Sequence, residues 1–566
     1  MAFQLSPGVN VKEIDATNVV PAVSSSIGGT VGAFEWGPVS KVTTISSEKQ
    51  LVEVFGKPTD LTAKYFLPAA GFLQYGSTLK VVRAADLSQN NANAQSSSES
   101  VVKNEEDYEN LGLSDGSNNN FGSWIAKYPG ALGNGLEVHT ASGGLDNNSW
   151  DAWTYKGQFS SRPETSEQAE LLGNANANDE MHVVVVDGSG LFSGTAGTVL
   201  EVFEFVSQAS NGKKTNGSTN YYVDVINSSS KYVWFASHNS LLTEAGSQLT
   251  ATQSFTGAVM TADTLGAGAD DQALSDGEIQ LALDMFKDAD TVDVNLLFGA
   301  LDTATTQNTN SIHILSIATA RKDCVSFVSP PVVDSVGATN ADNIITWANG
   351  LTSTSYGVSD SSALYVYDKY NDKFRYIPAY GHIAGLCANT DNVADTWFSP
   401  AGQTRGAILG VTKLAFNPNS ADRDALYQAR VNPIVAFAGE GIQLFGDKTL
   451  LSRPSAFDRI NVRRLFIVME KAIAKAAKAQ LFEFNDEFTQ AQFRNMVEPF
   501  LRDIKGRRGV TDFSVICDST NNTGEVVDNN RFVADIYVKP ARSINYITLN
   551  FIATRTGVDF SEIAGS

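Results

Sequence analysis

Cysteine is scarce in this sequence. The 566 residues contain three, Cys324, Cys387 and Cys517, far apart and never as C-x-x-C. So sparse and odd a set argues against a disulfide framework or a cysteine zinc site, and fits a reducing compartment. Histidine is equally thin. His139, His182, His238, His313 and His382 are scattered, with no i, i+4 pair and no H-E-x-x-H, so no shared metal site is expected. Positive charge is in deficit: 41 Lys+Arg face 62 Asp+Glu, a net of −21. A protein that coats nucleic acid needs the opposite, a basic face. Long apolar runs are missing too. No window offers about 18 continuous apolar residues, and MAFQLSPGVN lacks a basic-then-apolar signal pattern. The expectation is a soluble chain made in a cytoplasm, neither membrane-spanning nor exported by a classical signal.

What is present is enough to fold. With 42% hydrophobic and 18% charged residues, the chain can bury sizeable cores. Its length suggests three or four domains. Charge is unevenly spread. Residues 441–566 hold 17 Lys+Arg against 15 Asp+Glu, a net of +2, so the remainder carries −23. Residues 86–280 alone hold 7 against 25. Either this segment is a solvated outer domain, or the subunit is polarised, with an acidic outside and an inside shaped for partners.

Local patterns give a mixed α/β reading. Residues 1–20 read as an extended arm, punctuated by Pro7 and Gly8 and alternating from Val9 to Lys12. Residues 27–85 read as a compact α/β piece, with helices at Glu48–Phe55 and Ala63–Tyr75 and a strand at Leu79–Arg83. The Ser/Asn/Glu-rich stretch 86–123 reads as a linker or mobile loop. From 124 to 280 the pattern is short strands between polar turns: Val183–Val186, Val199–Val206, Tyr221–Ile226 and Tyr232–Ala236. An α/β rhythm returns with helices at Ile279–Phe286 and Ile312–Arg321, strands at Val294–Phe298 and Val325–Val328, and a hairpin over Tyr365–Tyr376 turning at Asn371-Asp372. Helical spacing of Leu465, Met469, Ile473, Ala477 and Leu481 predicts a helix over 461–484. Thr489 with Gln492 reads as a capping box for a second helix, with an expected kink at Pro499. Strands are expected at Phe513–Cys517, Arg531–Val538 and Ile544–Ile552.

Catalytic motifs fail one by one. Gly112-Leu113-Ser114-Asp115-Gly116 matches G-x-S-x-G but lies in a polar loop, not between a strand and a helix. In GIQLFGDKT, Gly441–Thr449, an Asp separates Gly446 from Lys448. That breaks the phosphate-loop register and adds a repelling charge. Gly266-Ala267-Gly268 lacks the third glycine of a dinucleotide loop. No catalytic, cofactor-binding or metal residue is nominated, and a structural or binding role is favoured over an enzyme. Two features point to assembly. Extended segments at both ends could add to a neighbour's sheet edge, or complete the protein's own sheet. Lys471, Lys475 and Lys478 fall on one helix face, which could meet an acidic partner or simply be solvated.

Several dispersed motifs, taken in order, resemble the contractile tail sheath proteins of tailed bacteriophages, nearest the T4-like type. The sheaths of R-type bacteriocins and type VI secretion systems are more distant. The matching residues are Ser6-Pro7-Gly8-Val9-Asn10-Val11-Lys12-Glu13, Ala126-Lys127-Tyr128-Pro129-Gly130 with Gly133-Asn134, and Ser399-Pro400-Ala401-Gly402 with Arg405-Gly406. Further on come Leu444-Phe445-Gly446-Asp447-Lys448-Thr449, Asn461-Val462-Arg463-Arg464-Leu465 and Cys517-Asp518-Ser519-Thr520-Asn521-Asn522. The last is Lys539-Pro540-Ala541-Arg542-Ser543-Ile544-Asn545-Tyr546-Ile547. Residues 86–280 match poorly.

The resemblance implies a multidomain sheath protomer of mixed α+β fold. It would have an N-terminal arm (1–25), a middle α/β domain (26–85 with 281–349), an inserted β-rich outer domain (86–280), an inner sheath domain (350–540) and a C-terminal arm (541–566). It implies hexameric rings stacked helically around a tail tube in the virion, with baseplate and tail-terminator proteins as further partners. No cofactor, membrane or direct nucleic-acid contact is implied. Contraction of a metastable extended state would drive the tube through the host envelope. Strand exchange would run through Gly8, Val9, Asn10, Val11, Lys12 and Glu13 at one end. At the other it would run through Ile544, Asn545, Tyr546, Ile547, Thr548, Leu549, Asn550 and Phe551. The candidates for facing the tube are Lys471, Lys475 and Lys478. A tail tube or capsid protein and a tail-associated hydrolase are the rival classes. The long helices near 461–504 argue against the first, and the missing catalytic site against the second.

Overall fold

The structure is a computed structural model that describes residues 20, 23–85, 89–97, 101–113, 119–257, 259–270, 272–302, 308–336 and 340–545. By contact the chain divides into a larger unit, Val23–Thr396 with Pro400–Lys471, and a smaller one, Met1–Ala22, Trp397–Ser399 and Ala472–Ser566. The mixed α/β class expected from sequence is what is found, with helices and strands alternating along the chain.

The larger unit is organised by a seven-stranded sheet. Its strands, in spatial order, are Val431–Asn432, Gly357–Asp360, Val325–Val328, Leu296–Leu297, Gly28–Gly32, Leu79–Arg83 and Thr43–Ile45. All neighbours pair in parallel except the edge strand Thr43–Ile45. A parallel sheet needs both faces covered, and its short strands are accordingly nearly all buried. On one face, helices Ala63–Leu73 and Tyr380–Val393 bring Phe72, Tyr380 and Ile383 against Phe298, Phe327 and Val358. On the other, helices Asp276–Asp284, Thr309–Arg321 and Asn340–Asn349 bring Ile279, Leu283, Ile314 and Trp347 against Val31, Val82 and Val328. The sheet draws strands from both sides of residue 350.

Local chemistry fixes these elements. Ser47 caps helix Glu48–Phe55 by accepting from the Gln50 amide, and Ser275 forms a capping box with Glu278. Glycine is required in strand Gly28–Gly32 because helix 63–73 lies directly on it. A Cβ at Gly28 would sit 2.6 Å from the Phe72 ring, and one at Gly32 would sit 2.5 Å from Tyr65 Cβ.

The segment between the strands Leu79–Arg83 and Leu296–Leu297 carries a four-stranded antiparallel sheet. Its order is Thr198–Ser207, Glu180–Asp187, Leu136–Ser142 and Met260–Thr264. Val183 and Val185 face one cluster, with Tyr222 and Phe235. Val184 and Val186 face another, with Trp153. Strand Glu180–Asp187 is therefore buried on both sides.

Four expectations need correction. Tyr221–Ile226 is not a strand. Helix Tyr222–Ser229 forms there, because Tyr222, Val223 and Ile226 meet the core at helical spacing. Residues 86–123 are not a bare linker. Asn91 is buried, donating to Val102 O (2.9 Å) and Ala126 O (3.0 Å), and Tyr108 stacks on Trp234 at 4.5 Å. Helix Ile460–Ala477 ends before 484, followed by a 3-10 turn at Lys478–Gln480. The helix with Pro499, Glu487–Gly506, is capped by Asp486, which accepts from the Thr489 amide at 2.8 Å. Thr489 is thus inside the helix and forms no capping box with Gln492.

In the smaller unit, helix Glu487–Gly506 packs Phe493, Val497, Leu501 and Ile504 inward. Beside it lies a two-stranded antiparallel ribbon, Val510–Ile516 with Asp535–Pro540.

Candidate assembly elements

Motifs that could have carried chemistry are occupied by structure. Strand Gly441–Leu444 pairs with Ile434–Phe437. After it, the Lys448 amide donates to Asn432 Oδ1 at 2.7 Å. Its Nζ donates to Tyr427 O at 2.7 Å and lies 4.0 Å above the Tyr427 ring. Arg459 donates to the Tyr427 hydroxyl at 2.6 Å. The lysine that would meet a phosphate is thus a packing element. Gly268 donates to Asn134 Oδ1 at 2.7 Å, tying strand ends of the antiparallel sheet. Gly112 sits in a turn with φ +64, and Ser114–Gly116 lie outside the described residues.

The histidines are dispersed as expected. His313 meets Asp284 at 2.6 Å, His139 meets Glu137 at 2.9 Å, and His238 meets the Tyr222 hydroxyl at 2.6 Å. His182 stacks on Phe159 at 4.0 Å, and burial pulls its pKa down to about 4. His382 is fully buried, also pulled down to about 4 by desolvation. Among the described residues no group of three or more His, Cys, Asp or Glu could hold a metal. No described helix is long and apolar enough to cross a membrane.

The N-terminal candidates Gly8–Glu13 lie outside the described residues. The described chain that follows them is anchored at Ser25. Ser25 sits on a buried ion pair between Asp391, in helix Tyr380–Val393, and Arg464, in helix Ile460–Ala477. One guanidinium nitrogen of Arg464 donates to both carboxylate oxygens, at 2.9 and 2.7 Å. The other donates to Cys387 O at 3.1 Å. The Ser25 hydroxyl donates to Asp391 at 2.8 Å, and Arg464 reaches Ser25 O at 3.3 Å. The Arg464 and Asp391 side chains are only 3% and 8% exposed, so water screens the pair little. Sequence reasoning missed this cluster. Its one signal is the charged Arg464 immediately before the apolar run Leu465–Met469.

The C-terminal candidates follow the ribbon. The motif Asp518–Asn522 shapes the loop between its strands. Asn521 donates to Ile516 O at 2.8 Å, and Asn522 exchanges hydrogen bonds with Val533 at 2.8 and 2.9 Å. Ala541 donates to Gly509 O at 3.1 Å, closing the ribbon's open end. Ile544 then stands exposed, next to Asn545. Tyr546, Ile547, Thr548, Leu549, Asn550 and Phe551 lie outside the described residues. Among the described residues no third strand pairs with the ribbon. Of the lysines, Lys471 is held by Asp293 and lies 4.0 Å from Asp323, whereas Lys475 and Lys478 are exposed.

Comparison with known proteins gives this arrangement its context. Residues 26–84 match the family described as tail sheath protein Gp18 domain III N-terminal region. Residues 272–450 match the phage tail sheath protein central domain, and 452–554 the phage tail sheath C-terminal domain. The tail sheath protein of Vibrio phage KVP40 is 34% identical over 99% of this chain and 100% of its own length. That of Enterobacteria phage T4 is 33% identical over 99% of each. This chain belongs to the phage tail sheath protein family. As a sheath protein it is a structural component of a contractile phage tail and not an enzyme. Solved structures share the fold at 12% identity. The sheath tail protein of Listeria innocua has a TM-score of 0.53, over 92% of this chain and 96% of that one. The Desulfitobacterium hafniense sheath tail protein has 0.51, over 90% and 93%. The sheath complex of an extracellular contractile injection system in its contracted state also has 0.51, over 99% and 100%. The family matches leave 85–271 uncovered, which is where the acidic antiparallel sheet lies.

Proposed function

We propose that this sheath protein polymerises into hexameric rings stacked helically around a tail tube, its subunits linked by exchanged strands. Contraction of the metastable extended polymer drives the tube through the host envelope for genome ejection. The observation that carries the reading is the ribbon Val510–Ile516/Asp535–Pro540, a two-stranded sheet that no third strand joins among the described residues. Two strands alone are marginal in water, and an open edge is a template for strand addition. Gly8–Glu13 and Ile544–Phe551, with their alternating patterns, supply strands of the needed length from neighbouring subunits. Such pairing holds the lattice together while contacts between globular faces break and re-form. Baseplate and tail-terminator proteins bound the polymer at its ends, and assembly occurs in the host cytoplasm. The acidic segment 86–280 forms the outer domain. The inner domain faces the tube through Lys471, Lys475 and Lys478, a contact weak enough to release on contraction. The test is deletion of residues 1–15. The variant is expected to remain a folded monomer and to form no tubular polymer by negative-stain electron microscopy; normal tubes would refute strand exchange through this arm.

A further inference from the structure

The smaller unit carries an apolar surface that its own fold leaves bare. Just before and at the start of helix Glu487–Gly506, Leu481, Phe482, Phe484 and Phe488 are 62%, 104%, 85% and 76% exposed. Taking about 200 Å² for a large side chain, they leave roughly 600 Å² of apolar surface open. That is the upper end of what a monomeric protein shows as its largest patch. It also approaches the roughly 800 Å² that each partner contributes to a standard interface.

The loop is held in place. Asn485 donates to Arg531 O at 2.8 Å and receives a hydrogen bond from Gln490 Nε2 at 2.8 Å. Phe493 packs edge-on against Phe532 at 5.5 Å, joining the helix after the loop to the chain that leads into the ribbon. Phe482 itself has φ +72, a backbone conformation that a bulky residue rarely adopts. The fold therefore fixes four large apolar side chains outward, beside the ribbon, at a cost in local strain.

We infer that this loop, Leu481–Phe488, is a docking surface for a second copy of this chain. The inference rests on the sheath reading above. The area is one argument for a copy. Permanence is another: a patch of this size buried against a partner makes a durable contact, which suits subunits that stay linked, whereas the tube must be let go on contraction. Position is the third, since a subunit adding a strand to the ribbon edge arrives next to Phe532 and the loop.

The test uses the full chain with the substitution Phe482→Cys. The three native cysteines are buried, so a thiol-reactive benzophenone is directed to position 482. Illumination of tails assembled with the tube is expected to give sheath–sheath dimers cross-linked from this position. A second variant, Phe482→Ser with Phe484→Ser, is expected to melt as the parent does. It should raise the concentration needed for polymer formation at least tenfold. Cross-links to the tube protein alone, no cross-link in intact tails, or an unchanged assembly threshold would overturn the inference and leave strand exchange standing. Failure of the unsubstituted chain to form any sheath would overturn both.

Discussion

The buried Asp391–Arg464 pair beneath Ser25 gives a sharp energetic prediction. Asp391→Ala leaves the Arg464 guanidinium, 3% exposed, with only the Cys387 and Ser25 carbonyls as partners. An uncompensated charge at such a site costs about 3–5 kcal/mol. Arg464→Met leaves the Asp391 carboxylate with only the Ser25 hydroxyl among those partners, and a similar loss is expected. The double variant removes both charges together, so what remains is lost packing, about 1–3 kcal/mol. Summed, the two single losses should then exceed the double by at least about 3 kcal/mol, a strong coupling. Ser25→Ala is the fourth variant. It removes one hydroxyl bond to a carboxylate and should cost about 1.5–3 kcal/mol. It should also speed amide exchange at residues 23–27, because the chain loses its tie there. Guanidinium titrations followed by circular dichroism give the four stability losses, and hydrogen exchange read by mass spectrometry gives the exchange rates. Additivity of the two single losses within about 0.5 kcal/mol would show that the pair does not act as a unit.

Two further outcomes are expected. Burial pushes the Asp360 carboxyl up to about 7, against hydrogen bonds from Ser329 and Ser362 that favour its charged form. The unfolded chain therefore ionises it first, and stability should fall as pH rises from about 4 to about 7, by up to about 4 kcal/mol. Asp360→Asn should abolish that fall, and urea midpoints from pH 4 to 8 that keep the parent's slope would refute the assignment. Reversing Lys471, Lys475 and Lys478 to Glu should weaken assembly on tubes and leave tube-free polymers intact. Pelleting with purified tube would remove these lysines from the contact if unchanged.

Legibility followed the range of the interactions that decide each element. Helix Glu48–Phe55 and strands Leu79–Arg83 and Val325–Val328 match their expected bounds, because a local cap or a short buried apolar run specifies each. The seven-stranded sheet was not legible as one object. Its neighbours Gly29 and Leu297 are brought together only by pairing across a whole inserted segment. Asn91 and Asn93 read as loop composition, since nothing local shows that their amides will be buried against chain carbonyls. The assembly elements divided the same way. Alternation marked the terminal segments, but nothing local shows that Ser25 meets Asp391 and Arg464, which no spacing rule connects. Leu481 read as the end of a helical stripe, and Phe482 and Phe484 fell inside the helix expected over 461–484. Only the helix ending at Ala477 turns them outward.

These differences also place the mechanical change that the sheath reading requires. The seven-stranded sheet is covered on both faces by aromatic and branched side chains, with glycines where helix rings touch the strands. An interior packed that closely resists graded deformation and changes only by discrete repacking. The ribbon is the contrary case. Most of its residues are exposed or half-exposed, and two strands do not stabilise one another for long in water. If neighbours' arms complete it, part of each subunit's stability belongs to the polymer and depends on subunit concentration, as it does in obligate assemblies. Stored energy of contraction is then a difference between two sets of contacts among rigid bodies, with the completed ribbons common to both states. That division requires the chain after the N-terminal arm to hold while the faces slide. A buried, charge-assisted anchor at Ser25 meets that requirement better than an exposed one, because its strength does not fade with salt.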